Sequence, residues 1–198
     1  MREETRVSWT EVAGFATGAL CVWLVVREHV ANFPVGIANN VFFIVLFGRA
    51  GLYADAGLQV VYIGLALYGW WWWLHGGPGR TVLRVTRTPA VEAVAVAAAT
   101  VAGTGALTLF LDGATDSTVP FWDAVTTVLS LAATYLLTRK RLENWLVWIV
   151  ADVIYVGLYA YKDLRLTAVL YAGFLALCVA GYLRWRAVPS ARAAEALA

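Results

Sequence analysis

The chain has 198 residues, of which 61% are hydrophobic and only 14% are charged, with a formal net charge of +2. Soluble domains carry about 25% charged residues, so this composition cannot cover a water-facing surface. It excludes a separate soluble domain and predicts one transmembrane domain over residues 1–198, whose surroundings are membrane lipid and not nucleic acid.

Seven apolar segments follow one another along the chain, separated by short breaks that are rich in charged or turn residues. A helix that crosses a bilayer needs about 20 such residues, and strands or soluble helices would not be this long and this apolar. We therefore predict an all-α membrane protein with seven transmembrane helices, at about 8–26, 30–48, 53–75, 89–111, 119–138, 143–161 and 164–186, and a frayed cytoplasmic tail at 187–198.

The distribution of Lys and Arg predicts the orientation. With seven spans, the loops after the first, third and fifth helices lie on the same side as the C-terminus. That side carries ten Lys or Arg residues and the other side carries five. Because basic residues concentrate on the cytoplasmic side, we predict a multi-pass protein of the bacterial inner membrane with its N-terminus outside and its C-terminus in the cytoplasm.

The sequence also contains an internal similarity. A shift of 112 residues aligns 23–73 with 135–185 and gives thirteen identities without a gap. Polar matches weigh most, because polar residues are rare in this chain. They include the identical pairs Arg27/Arg139 and Asn32/Asn144 and the related pair Asn40/Asp152.

This similarity predicts two three-helix repeats, at about 8–75 and 119–186. The helix at about 89–111 adds one crossing between them, so the repeats are expected to run parallel in a 3+1+3 arrangement. Parallel repeats of a transporter place the substrate near the midplane, where the repeats meet.

One predicted helix carries an amide, an indole, a carboxylate and a phenol at Asn144, Trp148, Asp152 and Tyr155. Their spacing places all four on one helix face. A carboxylate in mid-bilayer costs roughly 2.5–3.5 kcal/mol, so these four residues of the sixth predicted helix (α6, about 143–161), which we call the α6 stripe, are predicted to bind substrate. Further candidates on the other helices are Asn39, Asn40, Gln59, Tyr62 and Tyr171.

These side chains suit a neutral or cationic ligand with an aromatic ring, because no basic residue lies in mid-span. Trp148 and Tyr155 can stack on such a ring. The alternative is that the amides only join helices, as in a membrane sensor or scaffold that transports nothing.

Motifs for other chemistry are missing from the sequence. It has no Ser/His/Asp set, phosphate loop or glycine fingerprint, so we predict neither an enzyme nor a cofactor or metal site. A disulfide or metal pair of Cys21 and Cys178 remains open, and the run Trp70–Trp73 is expected to form an interfacial belt.

Over about residues 8–186, the chain resembles the PnuC-type vitamin transporters. The resemblance rests on NFPVGIANN at 32–40, AGLYADA at 50–56 with Gln59, ENWLVW at 143–148 with Asp152, and LTA at 166–168 with Tyr171. It implies a 3+1+3 fold related to the SWEET sugar transporters and a homotrimer. It also implies import of nicotinamide riboside by facilitated diffusion, with trapping by a cytoplasmic kinase that feeds NAD biosynthesis.

The resemblance also implies roles for individual residues. Asn144 and Trp148 would meet the nicotinamide, Gln59 would contact the substrate, and Asn40 and Asp152 would serve as ribose or gating partners. The family usually has Trp-Pro where this chain has Phe33 and Pro34, and its other members carry thiamine or riboflavin, which stay as alternative substrates.

Overall fold

A computed structural model of the chain describes residues 9–49, 51, 53–115, 118–161, 163 and 165–195. The described residues form seven α-helices, which confirms the predicted all-α class. In chain order these are α1 Trp9–Val26, α2 Asn32–Arg49, α3 Tyr53–His75, α4 Ala90–Ala114, α5 Pro120–Thr138, α6 Asn144–Tyr161 and α7 Arg165–Glu195.

Four of these helices are long and apolar enough by themselves to cross a membrane: α4, α5, α6 and the part Thr167–Ala187 of α7. α7 does not end at the predicted residue 186 but continues to Glu195. Residues 187–195 include four alanines, the strongest helix former, and the helix runs through Pro189 as far as Glu195.

The helices pack as two groups of three. α2 packs between α1 and α3, and α6 packs between α5 and α7. Between the groups, α1 contacts α7 and α3 contacts α5, while α4 packs against α5.

Two ring pairs in the core have the same geometry. Phe33 meets Trp73 edge-on at 5.0 Å and 87°, and Trp145 meets Trp185 at 5.3 Å and 86°. Each member of the second pair lies 112 positions after its counterpart in the first pair. One ring contact is therefore built twice, once in each group of helices.

The two groups also exchange hydrogen bonds. The indole of Trp73 donates to the carbonyl oxygen of Leu137 at 3.0 Å, and that of Trp185 donates to the carbonyl oxygen of Val25 at 3.2 Å. These bonds bring the ends of α1, α3 and α5 together with the Trp185 part of α7. We call this end of the molecule the clamp face.

The prediction of an interfacial belt at Trp70–Trp73 is wrong for its last member. Trp71 is 55% exposed, but Trp73 is 2% exposed and belongs to the core. Successive helix positions point in different directions, so a run of four tryptophans cannot lie on one surface.

The connection from α3 to α4 is an ordered strap, which we define as residues 81–88. The backbone N–H of Thr86 donates to the Lys140 carbonyl at 3.2 Å, and that of Leu142 donates to the Thr86 carbonyl at 2.9 Å. The Glu143 carboxylate accepts bonds from the Thr88 backbone N–H and hydroxyl at 2.7 and 2.6 Å. The strap is thus fixed to the turn between α5 and α6.

Candidate functional site

The α6 stripe lies on one continuous helix, as its spacing predicts. Asn144 and Asp152 are buried, while Trp148 and Tyr155 are half-buried. Asn144 and Tyr155 are eleven residues apart, which corresponds to about 16 Å along the helix axis. A small vitamin cannot touch both ends at once, so the stripe has the geometry of a path.

The nitrogen of the Asn144 amide has a hydrogen-bond partner, whereas its oxygen has none among the described residues. The nitrogen donates to the Arg141 carbonyl at 2.6 Å, and Asn32 makes the same bond to the His29 carbonyl at 2.8 Å. The amide nitrogen of each asparagine therefore fixes the turn that precedes its helix, α2 for Asn32 and α6 for Asn144. The Asn144 oxygen has no hydrogen-bond partner among the described residues, and Asn144 is 0% exposed, so a ligand can reach this acceptor only when the side chains around it move apart.

Trp148 follows Asn144 by one helical turn and packs against the buried core around Trp145 and Trp185. Because it is only half-buried, part of its indole is not covered by the protein. An amide oxygen and an aromatic surface therefore stand one turn apart near the start of α6.

Asp152 is 3% exposed, and its carboxylate accepts a bond from the Cys178 thiol at 3.3 Å. Among the described residues it forms no ion pair. Cys21 instead donates to the Asn32 carbonyl, and both cysteines are free thiols. The alternative of a Cys21–Cys178 disulfide is therefore wrong, because each thiol lies against a different partner.

Tyrosines line the far half of the stripe. The ring of Tyr171 lies 4.6 Å from that of Tyr155 and 5.1 Å from that of Tyr159. Tyr62 of α3 lies near Tyr155 and near Ser130 of α5. The structure thus brings two of the predicted residues, Tyr155 and Tyr171, into ring contact, with Tyr159 beside them.

The candidates on α2 are placed differently. The Asn39 amide donates to the Thr17 hydroxyl at 2.5 Å and to the Gly14 carbonyl at 3.3 Å, so it joins α2 to α1. Asn40 and Gln59 are half-buried, and no hydrogen bond in the described part of the chain joins either of them to the α6 stripe.

Sequence reasoning missed two residues next to these candidates. Tyr159 lies four positions after Tyr155, so the same helical spacing could have identified it. Cys178 had no such signal, because its contact with Asp152 joins residues 26 positions apart in sequence.

Two surface grooves lie apart from the predicted site residues. Two apolar grooves lie between α4 and α5 and between α5 and α6, and no candidate residue lines either groove. In the described part of the chain, no group of three or more His, Cys, Asp or Glu residues is placed to hold a metal ion.

Comparisons with known proteins give the family. A family model described as "Nicotinamide mononucleotide transporter" matches residues 8–187. The chain is 28% identical to the nicotinamide riboside transporter PnuC of Escherichia coli over 204 residues, which cover 90% of this chain and 85% of the relative. It is also 28% identical to the riboflavin/roseoflavin transporter RibM of Streptomyces davaonensis over 188 residues, which cover 92% and 86% of the two chains.

A solved structure agrees with this relationship. The crystal structure of the vitamin B3 transporter PnuC superposes with a TM-score of 0.69 at 26% identity, covering 92% of this chain and 82% of that chain. These relatives are transporters and not enzymes, which confirms both the predicted resemblance and the prediction that the chain is no enzyme. With a family match over 8–187, the chain belongs to the nicotinamide mononucleotide transporter family.

Proposed function

We propose that this protein imports nicotinamide riboside across the bacterial inner membrane. The observation that carries the proposal is the buried, unpartnered Asn144 oxygen one helical turn from the half-buried Trp148. A nicotinamide ring has a carboxamide that can donate to this oxygen and a face that can stack on the indole. The similarity to PnuC of Escherichia coli supports the same substrate.

The other candidates would serve the substrate along the path. Tyr155, Tyr62 and Tyr171 provide ring faces and hydroxyls at the far half of the stripe, while Asp152 can accept a bond from a ribose hydroxyl. Asn39, Asn40 and Gln59 would join them when the helix groups move.

Facilitated diffusion is the proposed mode of transport. The twofold occurrence of the ring contact and of the indole hydrogen bond supports two parallel repeats, α1–α3 and α5–α7, with α4 as linker. All seven helices would span the membrane, with the N-terminus outside. Rocking of the repeats would expose the stripe to each side in turn, and a cytoplasmic kinase would trap the vitamin as its phosphate.

A homotrimer is proposed as the assembly. α4 has no buried residue and packs against α5 alone in the main contacts of the fold. A helix that is apolar all round needs lipid or another protein chain on its remaining faces, so a second copy of the chain can cover part of it.

The test is uptake of labelled nicotinamide riboside into liposomes without ATP or an ion gradient. We expect saturable uptake by the wild type and a loss of at least about tenfold in Trp148→Ala, because the stacking surface is removed. Trp71→Ala is the matched control, since Trp71 is 55% exposed, and it should transport normally. Wild-type uptake equal to that of empty liposomes, with the protein intact, would leave the sensor or scaffold alternative.

The similarity to RibM makes riboflavin the second candidate, and thiamine the third. Tryptophan-fluorescence titration with the three vitamins separates them, because Trp148 would report a ring stacked on it. Tighter binding of riboflavin or thiamine than of nicotinamide riboside would replace the proposed substrate.

A further inference from the structure

An ion pair closes the middle of the clamp face. The Lys140 ammonium lies 2.9 Å from the Glu28 carboxylate, with side-chain exposures of 4% and 20%. The ammonium also lies 4.5 Å above the Trp73 ring centre and donates to the Leu83 carbonyl of the strap at 3.1 Å. The pair thus occupies the space in which the ends of α1, α3 and α5 meet.

The two partners hold equivalent places in the two helix groups. They are 112 positions apart, the same offset that relates the two ring pairs and the two crossed indole bonds. A contact between equivalent residues of two repeats lies on the axis that relates them. Rocking of the repeats therefore separates or joins these two side chains directly, which makes the pair sensitive to opening of this face.

Both partners sit in a backbone conformation that suits glycine. The φ angles are 55° at Glu28 and 52° at Lys140, in the left-handed region, which is unfavourable for a residue with a side chain because its Cβ atom comes too close to the following carbonyl oxygen. Glycine would avoid this cost at the end of a helix. The chain instead has two long charged side chains there, and these two side chains meet.

The chemistry of the contact suits a bond that opens and closes. A buried ion pair has a large desolvation cost that offsets most of its attraction, and both partners regain water when they part. An apolar seal of the same size would expose hydrocarbon to water on opening. The Leu83 carbonyl of the strap and the Trp73 ring both contact the Lys140 ammonium. This side of the pair therefore favours a cation.

We propose that the Glu28–Lys140 pair is a latch that holds the clamp face closed and must part before the path along α6 opens there. This inference rests on the proposed function for what passes through the opening, but the latch itself has a test that needs no substrate. The strap fixes the cation side of the latch, so the Glu28 side is the part that moves away.

Cys178 is a natural reporter for opening, because it is 4% exposed and lies against Asp152 of the α6 stripe. Cys21→Ser leaves it as the one cysteine of the chain and keeps a donor for the Asn32 carbonyl. In purified protein of this background, the rate at which a water-soluble maleimide labels Cys178 measures how often the path opens.

We expect Glu28→Gln to raise this labelling rate about tenfold, because a hydrogen bond between charged groups is replaced by a weaker one. Asp163→Asn is the matched control. Asp163 forms an ion pair of the same length, 2.9 Å, with Arg165, but the two side chains are 82% and 87% exposed, respectively. It should leave the rate unchanged. An unchanged rate in Glu28→Gln, or an equal rise in the control, would overturn the latch.

Glu28→Asp covers the case in which the glutamine variant does not fold. It keeps the charge but shortens the reach by one methylene, so an intermediate rise in labelling is expected and an unchanged rate counts against the latch. Vitamin uptake is measured in parallel. Failure of wild-type uptake would overturn the proposed substrate, while the labelling result would still decide the latch.

Discussion

Two large aromatic rings of the core, those of Trp145 and Phe33, pack directly against glycines. A Cβ atom at Gly181 would lie 2.5 Å from the Trp145 ring, and one at Gly69 would lie 2.8 Å from the Phe33 ring. Non-bonded carbon atoms essentially never lie this close together, so both rings occupy space that only glycine leaves free. Through these rings the two glycines determine how closely α7 approaches α6 and α3 approaches α2.

Gly181→Ala should therefore destabilise the protein by about 1–3 kcal/mol, the usual cost of an overpacked core. Gly173→Ala on the same helix is the control, because nothing lies within 4 Å of its added Cβ, and alanine there should be neutral or slightly stabilising. Unfolding in a denaturing-detergent titration measures both. Equal midpoints for the two variants would contradict the close approach of Trp145.

Among the described residues, the strap, like α4, has no counterpart in the other helix group. It adds backbone bonds to the α5–α6 turn, and Arg141 of that turn pairs with Glu92 of α4 at 2.6 Å. Glu143 closes the arrangement through its two bonds to Thr88. The strap thereby joins α3, α4 and the α5–α6 turn at the clamp face and makes the two halves of the molecule unequal.

Glu143→Ala should loosen the strap, because the Thr88 N–H and hydroxyl both lose their acceptor. A lost bond to a charged group corresponds to about 1.5–3 kcal/mol, so exchange of the amides in 81–88 should speed up at least about tenfold. Hydrogen exchange measured by mass spectrometry tests this. Asp112→Ala, at an exposed position of α4, is the control, and equal exchange in the two variants would refute the role of Glu143.

At the scale of the whole molecule, the two helix groups are held together by crossed contacts. Trp73 and Trp185 each reach the end of a helix in the other group, and their rings lie 6.0 Å apart. Because each group donates one indole bond and accepts one, neither group supplies the clamp face alone. A unit of three helices would leave its indole N–H without an acceptor, while its helix-end carbonyl would keep only the backbone N–H of Glu28 or Lys140.

Trp73→Phe and Trp185→Phe should consequently destabilise the protein by similar amounts, about 1–3 kcal/mol each, since each removes a buried indole hydrogen bond and part of a packed ring. Trp71→Phe, at a 55% exposed position of the same helix as Trp73, should change little. Thermal unfolding followed by loss of monodisperse protein compares the three variants. A cost in only one of the two core variants would show that the crossed bonds are not equivalent in energy.

Much of the fold follows from the sequence because its signals are local. The length and apolarity of each segment predict a helix, and the four-residue spacing of Asn144, Trp148 and Asp152 places them on one face whatever surrounds them. The offset of 112 residues likewise needs no coordinates. These features depend only on neighbours along the chain, so the helices and the α6 stripe were predictable.

The partners of these residues were decided by the tertiary structure alone. Asn39 turns to Thr17 and away from the α6 stripe, Asp152 meets Cys178, and Trp73 leaves the predicted belt for the core. Each contact joins residues on different helices, more than 20 positions apart in sequence, and several arrangements of apolar helices satisfy the same local pattern. Only the packing of the two groups against each other selects one arrangement, and with it the Glu28–Lys140 contact that closes the clamp face.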